Sequence, residues 1–92
     1  MSAYVASYIK DPGAKLDYSL DWSDWLPTGD AIDTATWTVT GADRVSSSAA
    51  SGIATVWIEG GTEGADATAT CRVTTTAGRI DERTIRIQIR GR

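Results

Sequence analysis

Leu16-Asp17-Tyr18-Ser19-Leu20-Asp21-Trp22-Ser23-Asp24-Trp25-Leu26-Pro27 is the stretch on which the fold turns. Leu16, Tyr18, Leu20 and Trp22 alternate with Asp17, Ser19 and Asp21, so an extended backbone sends four large side chains to one face and polar ones to the other. That is the pattern of a half-buried strand. After it, Asp21 is placed to cap the N–H groups of a single helical turn, with Asp24 in the capping-box position, and Pro27 keeps Leu26 out of the helical region. The turn is expected to tuck Trp25 and Leu26 over the end of a core.

Downstream the same period returns. Ala35, Trp37 and Val39 alternate with Thr34, Thr36, Thr38 and Thr40, a β-branched polar face opposite a face with one indole. Ile53 to Ile58 is almost continuously apolar: either Ala54, Val56 and Ile58 face the core and Trp57 points out, or the other parity buries the Trp. Ala67, Ala69, Cys71 and Val73 form the inward side of the next strand, and their small size suits a place opposite bulky indoles. Thr75 to Arg79 reads as a hairpin connection, with Gly78 free to take a positive φ. Ile85, Ile87 and Ile89 then face inward while Thr84, Arg86, Gln88 and Arg90 face outward, the strongest alternation in the chain. The Ser-rich run from Gly41 to Gly52 has little period and is expected to hold a short edge strand near Arg44 to Ser46, followed by a loop.

Upstream, Tyr4, Val5, Tyr8 and Ile9 make residues 1–12 a first strand or an extended arm, ended by the Asp11-Pro12-Gly13 turn signal. No stretch is long and periodic enough for a substantial helix. The reading is all-β: an immunoglobulin-like antiparallel β-sandwich of six or seven strands, one domain over residues 1–92, with a small barrel as the alternative architecture.

Composition agrees with a small folded domain, since 41% of the 92 residues are hydrophobic and 23% charged. The core is modest, and four Trp and three Tyr with no Phe supply much of it. The apolar runs are far too short to span a membrane, and the N-terminus lacks the basic-then-apolar order of a signal peptide, so a cytosolically made protein is expected. A single Cys71 forms no intrachain disulfide. The net charge of −3 is unevenly spread: residues 1–66 hold three basic and ten acidic residues, whereas 67–92 hold six Arg and two acidic ones. Solvated outer faces of strands explain this, and so does head-to-tail packing against a copy or a partner. Nucleic acid is not an expected partner, because the chain is acidic and its aromatics are not interleaved with the arginines.

The residues offer little chemistry. Without His, the commonest general base and metal ligand is missing, and one Cys with no His provides neither thiol catalysis nor a zinc site. Gly60, Gly61 and Gly64 match no phosphate-cradling motif. Asp17, Asp21, Asp24, Asp30 and Asp33 could gather around calcium or act as an acid–base pair on a glycoside, but their spacing fits no calcium loop. No catalytic residue, cofactor or metal site is assigned, and the chain is read as a non-enzyme. Trp22 and Trp37 lie in phase with the inward residues and belong to the core. An outward Trp57 is the candidate for function, because rigid aromatics anchor interfaces; cover by the chain's own N-terminal arm is the alternative.

Lys10-Asp11-Pro12, Leu16-Asp17-Tyr18, Asp21-Trp22-Ser23-Asp24-Trp25-Leu26, the Trp37 strand, Ala54-Thr55-Val56-Trp57, Val73-Thr74-Thr75, Ala77-Gly78-Arg79 and Asp81-Glu82-Arg83 together resemble the phage fiber-tail adaptor proteins, small proteins of tailed phages. The resemblance implies a virion structural protein of immunoglobulin-like form, made in the host cytoplasm. It would be present in several copies and would bridge the tail or connector to fibres. Its partners would be other phage tail, connector or fibre proteins and copies of itself, with no nucleic acid or membrane. The expected contact residues are Trp57, Tyr4 and Tyr8 as apolar anchors, with Arg86 and Arg90 against an acidic face. A capsid decoration protein and a stand-alone adhesion or carbohydrate-binding module are the competing readings.

Overall fold

The structure, a computed structural model, describes residues 4–91, which form seven strands and no α-helix. Met1 to Ala3 of the expected arm and Arg92 of the basic segment lie outside the described residues. The strands are β1 (Tyr4–Lys10), β2 (Lys15–Asp21), β3 (Ile32–Thr40), β4 (Asp43–Ala50), β5 (Ile53–Glu59), β6 (Asp66–Thr75) and β7 (Ile80–Ile89). They make two sheets, ordered β1-β7-β6-β3 and β2-β5-β4, packed as a β-sandwich rather than closed into a barrel. β3, β6 and β7 thus share one sheet with β1, and β2, β5 and β4 make the other.

The pairing is antiparallel except at one place: β1 runs parallel to β7, with Tyr8 opposite Ile87 and Lys10 opposite Ile89. The cause is the Asp11 turn, where Asp11 accepts the amides of Gly13 (2.8 Å, side chain) and Ala14 (3.0 Å, backbone). This turn carries the chain from one sheet to the other instead of folding β2 back on β1.

The core lies between the sheets and follows the period of two. Tyr18, Leu20 and Trp22, with Ala54, Val56 and Ile58 of β5, face Trp37, the Ala67-to-Val73 row of β6, and Ile85, Ile87 and Ile89. Trp37 lies beside Cys71 in the β3–β6 register, so a large ring meets a small neighbour. Trp22 is fully buried, its ring 5.2 Å from that of Trp25 in an edge-on arrangement, and the Arg83 guanidinium lies 4.1 Å over it. The turn after β2 forms as the sequence suggests, with the amides of Trp25 and Leu26 donating to the Trp22 carbonyl at 3.0 and 3.1 Å.

Three local expectations are corrected. Asp21 accepts the amide and hydroxyl of Ser23, two residues on, and Asp24 stands exposed, so the cap is an Asx turn rather than a capping box. Leu16 has the inward parity but is 40% exposed, because β2 is an edge strand and Lys10 closes that end of the sandwich. Lys10 is fully buried and donates to the carbonyls of Asp11 (2.9 Å) and Gly60 (2.7 Å). Loss of hydration moves its pKa below the ordinary lysine value, against the opposing pull of Asp11 and Glu59.

The third correction concerns Gly41 to Gly52, which carries a full eight-residue strand, β4, instead of three residues and a loop. Every residue of β4 is exposed, so side-chain burial does not hold it. Its backbone pairing with β5 does, closed by a hairpin in which Ser51 (φ 54°) and Gly52 (φ 80°) both adopt the left-handed region that a tight two-residue turn needs. The Trp22 amide donates to the Gly52 carbonyl at 2.8 Å and ties this hairpin to the end of β2.

Because Trp22 is buried among both sheets, Trp22→Ala should cost about 3–5 kcal/mol, a large part of the stability of so small a domain. Guanidinium unfolding of the purified chain measures this; a loss under about 1 kcal/mol would contradict the ring's central place in the core.

Candidate interaction surfaces

β5 settles the parity of Trp57. Ala54, Val56 and Ile58 are completely buried, so Trp57 stands on the outer face of the three-stranded sheet, 40% exposed. Asp17 of β2 and Ser46 of β4 lie directly beside it in register. Lys15, Val45, Ser46 and Trp57 line a shallow depression of about 300 Å³. The N-terminal strand does not cover the ring, since β1 belongs to the other sheet. Trp57 thus stands on the middle strand of its sheet with charged and hydroxyl groups around it.

Tyr4 and Tyr8 sit on β1, at the margin of the four-stranded sheet. Tyr8 turns toward the gap between the sheets and packs on Tyr18 with ring centroids 5.0 Å apart, yet stays 38% exposed. Burial raises the Tyr18 hydroxyl above the ordinary tyrosine pKa. Val5 and Ile9, on the same strand, are half-exposed. Tyr4 and Tyr8 are on β1, beside the β7 strand that carries Arg86, but Tyr8 is opposite Ile87 and Arg86 is opposite Ser7, on the other face; Trp57 lies on the other sheet.

The arginines have partners within the chain. Arg86 grips Oδ2 of Asp66 through Nε (3.0 Å) and Nη2 (2.6 Å), and Arg90 reaches Oδ1 of the same residue at 3.5 Å. Arg90 also donates to the carbonyls of Ala65 and Ile89. The Arg86 hydrogen bonds hold the Asp66 carboxyl below the usual carboxylate range. Arg72 pairs with Glu82 and Arg79 with Asp30. Four of the six arginines of residues 67–92 are thus paired with acids of the same molecule.

A second depression, about 420 Å³, lies at the end of the sandwich between the turn after β2, the start of β3 and the β4–β5 hairpin. Leu26, Pro27, Ile32, Ala49 and Ala50 supply its apolar walls and Asp30 its acidic group. The Asp30 side chain is only 4% exposed. Its Oδ1 accepts from the Ala31 amide (2.9 Å), the Thr76 hydroxyl (2.8 Å) and the Ala77 amide (3.1 Å), and its Oδ2 accepts from Arg79 (3.0 Å). Burial disfavours the charge, but the hydroxyls of Thr75 and Thr76 and the two amides outweigh it and hold the carboxyl far below the ordinary value. Asp30 is therefore a structural tie between the β2–β3 loop and the β6–β7 hairpin, ionised at neutral pH with no proton to give.

The other aspartates are not gathered: among the described residues, no group of three or more His, Cys, Asp or Glu side chains could hold a metal ion. Burial pushes the Cys71 thiol up to about 11, against smaller pulls from the Trp22 indole and Arg83, which leaves it a core residue without nucleophilic character. The roles of Asp30, Lys10 and Asp66 were not apparent in the sequence. Each has a partner tens of residues away, Gly60 for Lys10, Thr76 for Asp30 and Arg86 for Asp66, and no local spacing marks them.

Residues 10–88 match the family described as Podophage GP4 fiber-tail adaptor protein gp77. The chain belongs to that family. No curated protein matches it. Membership in the adaptor family makes this β-sandwich a phage fiber-tail adaptor structural protein, a component of the virion, and the family name implies binding to other phage tail and fibre proteins.

The Asp30 tie has a pH signature. Asp30, Asp66 and Asp21 all have folded-state pKa values below their ordinary ones, so their stabilisation is present above about pH 4 and is lost as pH falls through the folded values. The melting temperature should stay level from neutral pH to about 5 and drop below about 4. Asp30→Asn should melt lower at neutral pH and show a shallower acid decline; parallel curves for the two chains would contradict the assignment.

Proposed function

We propose that this chain joins a tail or connector component to a fibre of the podophage virion by protein–protein contact alone, without catalysis and without binding nucleic acid or membrane. It is made in the host cytoplasm as one immunoglobulin-like domain and enters the particle in several copies. The observation that carries the proposal is Trp57: a half-exposed indole on the middle strand of its sheet, whose neighbours Val56 and Ile58 on the same strand are completely buried on the other face.

A bridging protein needs two separate contact areas, and the candidate residues divide into two. Trp57 anchors one, on the outer face of β2-β5-β4. Tyr4 and Tyr8 anchor the other, along β1. Arg86 and Arg90 stand beside the second area, already half-neutralised by Asp66, and contribute to its rim through partner acids that share or replace Asp66.

Trp57→Ala should reduce incorporation into particles, or fibre attachment to them, by at least tenfold. The melting temperature of the isolated chain should move by less than about 5 °C, because the ring is not in the core. Normal incorporation would remove Trp57 from the contact, and a collapse in melting temperature would make the ring structural. Arg86→Gln combined with Arg90→Gln removes exposed ion pairs that are worth about 1 kcal/mol or less without setting new carboxylates against Asp66, so stability should change little while incorporation falls. Unchanged incorporation would exclude these arginines from the partner contact.

A further inference from the structure

The outer face of the three-stranded sheet holds carboxylates that the molecule leaves unpaired. Asp17 stands directly opposite Trp57 in the β2–β5 register, and Lys15 and Asp43 flank Glu59 one row on. All four charged residues are exposed, and among the described residues none of them forms an ion pair. Three acids against one base make the surroundings of the indole acidic. Lys10, which Glu59 attracts, is buried and held by two carbonyls. Arg44 lies opposite buried Ile58 and donates to the Ser47 hydroxyl at 3.4 Å.

The chain itself shows what an indole beside an aspartate attracts. At Trp22 the Arg83 guanidinium lies 4.1 Å over the ring and donates to the Asp21 carbonyl at 3.4 Å. Its charge adds to the Ser23 hydrogen bonds that hold the Asp21 carboxyl below the ordinary range. Trp57 and Asp17 repeat the combination on the outer face, joined by cross-strand pairing rather than by adjacency in the chain. Directly opposed residues have Cβ atoms about 5 Å apart, within the span of one guanidinium. Among the described residues, no cation lies over the Trp57 ring.

We infer that the surface covering Trp57 in the particle is cationic, with an arginine of another tail or fibre protein stacked on the indole and forked to the Asp17 carboxylate. The inference rests on the reading of Trp57 as an adaptor contact and adds the chemistry of its partner. Covering the ring also takes the carboxylate beside it out of water, and a desolvated carboxylate without a cation is costly. An apolar or acidic partner would leave Asp17, Asp43 and Glu59 buried and unpaired; a basic one pairs them. Arginine suits the site better than lysine, because its planar group stacks on an aromatic face while its N–H edge meets a carboxylate. A second copy is poorly equipped for this role. Four of the six arginines of residues 67–92 are paired with acids, and Arg83 is occupied at Trp22.

Co-sedimentation of the purified full chain with podophage particles grown without it tests this. Raising NaCl from about 0.05 to about 0.5 M should weaken wild-type binding about tenfold, because the contact pairs opposite charges. Asp17→Asn should reduce that salt dependence, and Asp17→Lys should weaken binding about tenfold or more, with melting temperatures within about 3 °C of the wild type because the position is exposed. Trp57→Leu, which keeps apolar bulk without a ring face, should bind about fivefold more weakly. Asp33→Lys, on β3 of the other sheet, should bind as the wild type does. Phage carrying Asp17→Lys should regain growth through replacement of an arginine by an acid in another tail or fibre protein. Salt-independent binding, as a glycan or apolar partner would give, or undiminished binding of Asp17→Lys would overturn the inference. Restoring substitutions confined to this chain would assign the arginine to a second copy and overturn it equally. Loss of binding on Trp57→Ala with Asp17→Lys undiminished would sink the cationic partner and leave the adaptor contact standing, whereas normal binding of Trp57→Ala would remove the contact itself.

Discussion

Two indoles set the terms on which this sandwich closes. Trp22 is fully buried and Trp37 nearly so, and neither indole N–H has a hydrogen-bond partner. Burying about 200 Å² of ring at about 25 cal/mol per Å² gives about 5 kcal/mol, against about 1–3 kcal/mol for an unsatisfied donor, so burial wins for each ring. Such volume fits only because the surrounding rows are small: Ala54 on β5, and Ala67, Ala69 and Cys71 on β6. The alanines of this chain are the counterpart of its tryptophans, and the sheets take their spacing from the two together.

With the core spoken for, the surface is notable for how its charges are used. The basic C-terminal segment looks like a patch in the sequence, but in three dimensions Asp66 and Asp30 are folded back against its arginines and Glu82 sits across from Arg72. Arg83 lies over an indole instead of an acid. These pairs are exposed and add little stability singly, apart from the buried Asp30 carboxylate. Their effect is to occupy four of the six arginines of that segment within the molecule.

How far the sequence could be read depended on whether a residue's environment was set nearby or from afar. The inward rows Ala67 to Val73 and Ile85 to Ile89 were legible because apolar and polar side chains contrast at every step. The orientation of Trp57 was open, since both faces of Ile53 to Ile58 are apolar, and only the facing sheet decides between them. β4 was legible only as a short strand near Arg44 to Ser46, because the Ser and Ala residues that follow carry no alternation and favour strands weakly; their strand character comes from β5. The parallel placement of β1, the carbonyl cage around Lys10 and the four donors on Asp30 depend on groups distant along the chain, where spacing is silent. Of the proposed contact residues, Trp57, Tyr4 and Tyr8 were visible as large aromatics on polar or undecided faces, while the engagement of Arg86 and Arg90 by Asp66 was not.

The parallel seating of β1 on β7 also governs the order of events as the molecule forms. Its earliest strand has no lateral partner until its last strand exists, and nearly the whole chain lies between them. Closing so long a loop is entropically unfavourable, and topologies dominated by such distant contacts acquire their native form slowly, on the millisecond-to-second scale. Until then the β1 segment remains a β-former whose single charge is Lys10 at its end. A nascent copy therefore passes through an interval in which neighbouring molecules compete with its own C-terminal strand for the same backbone.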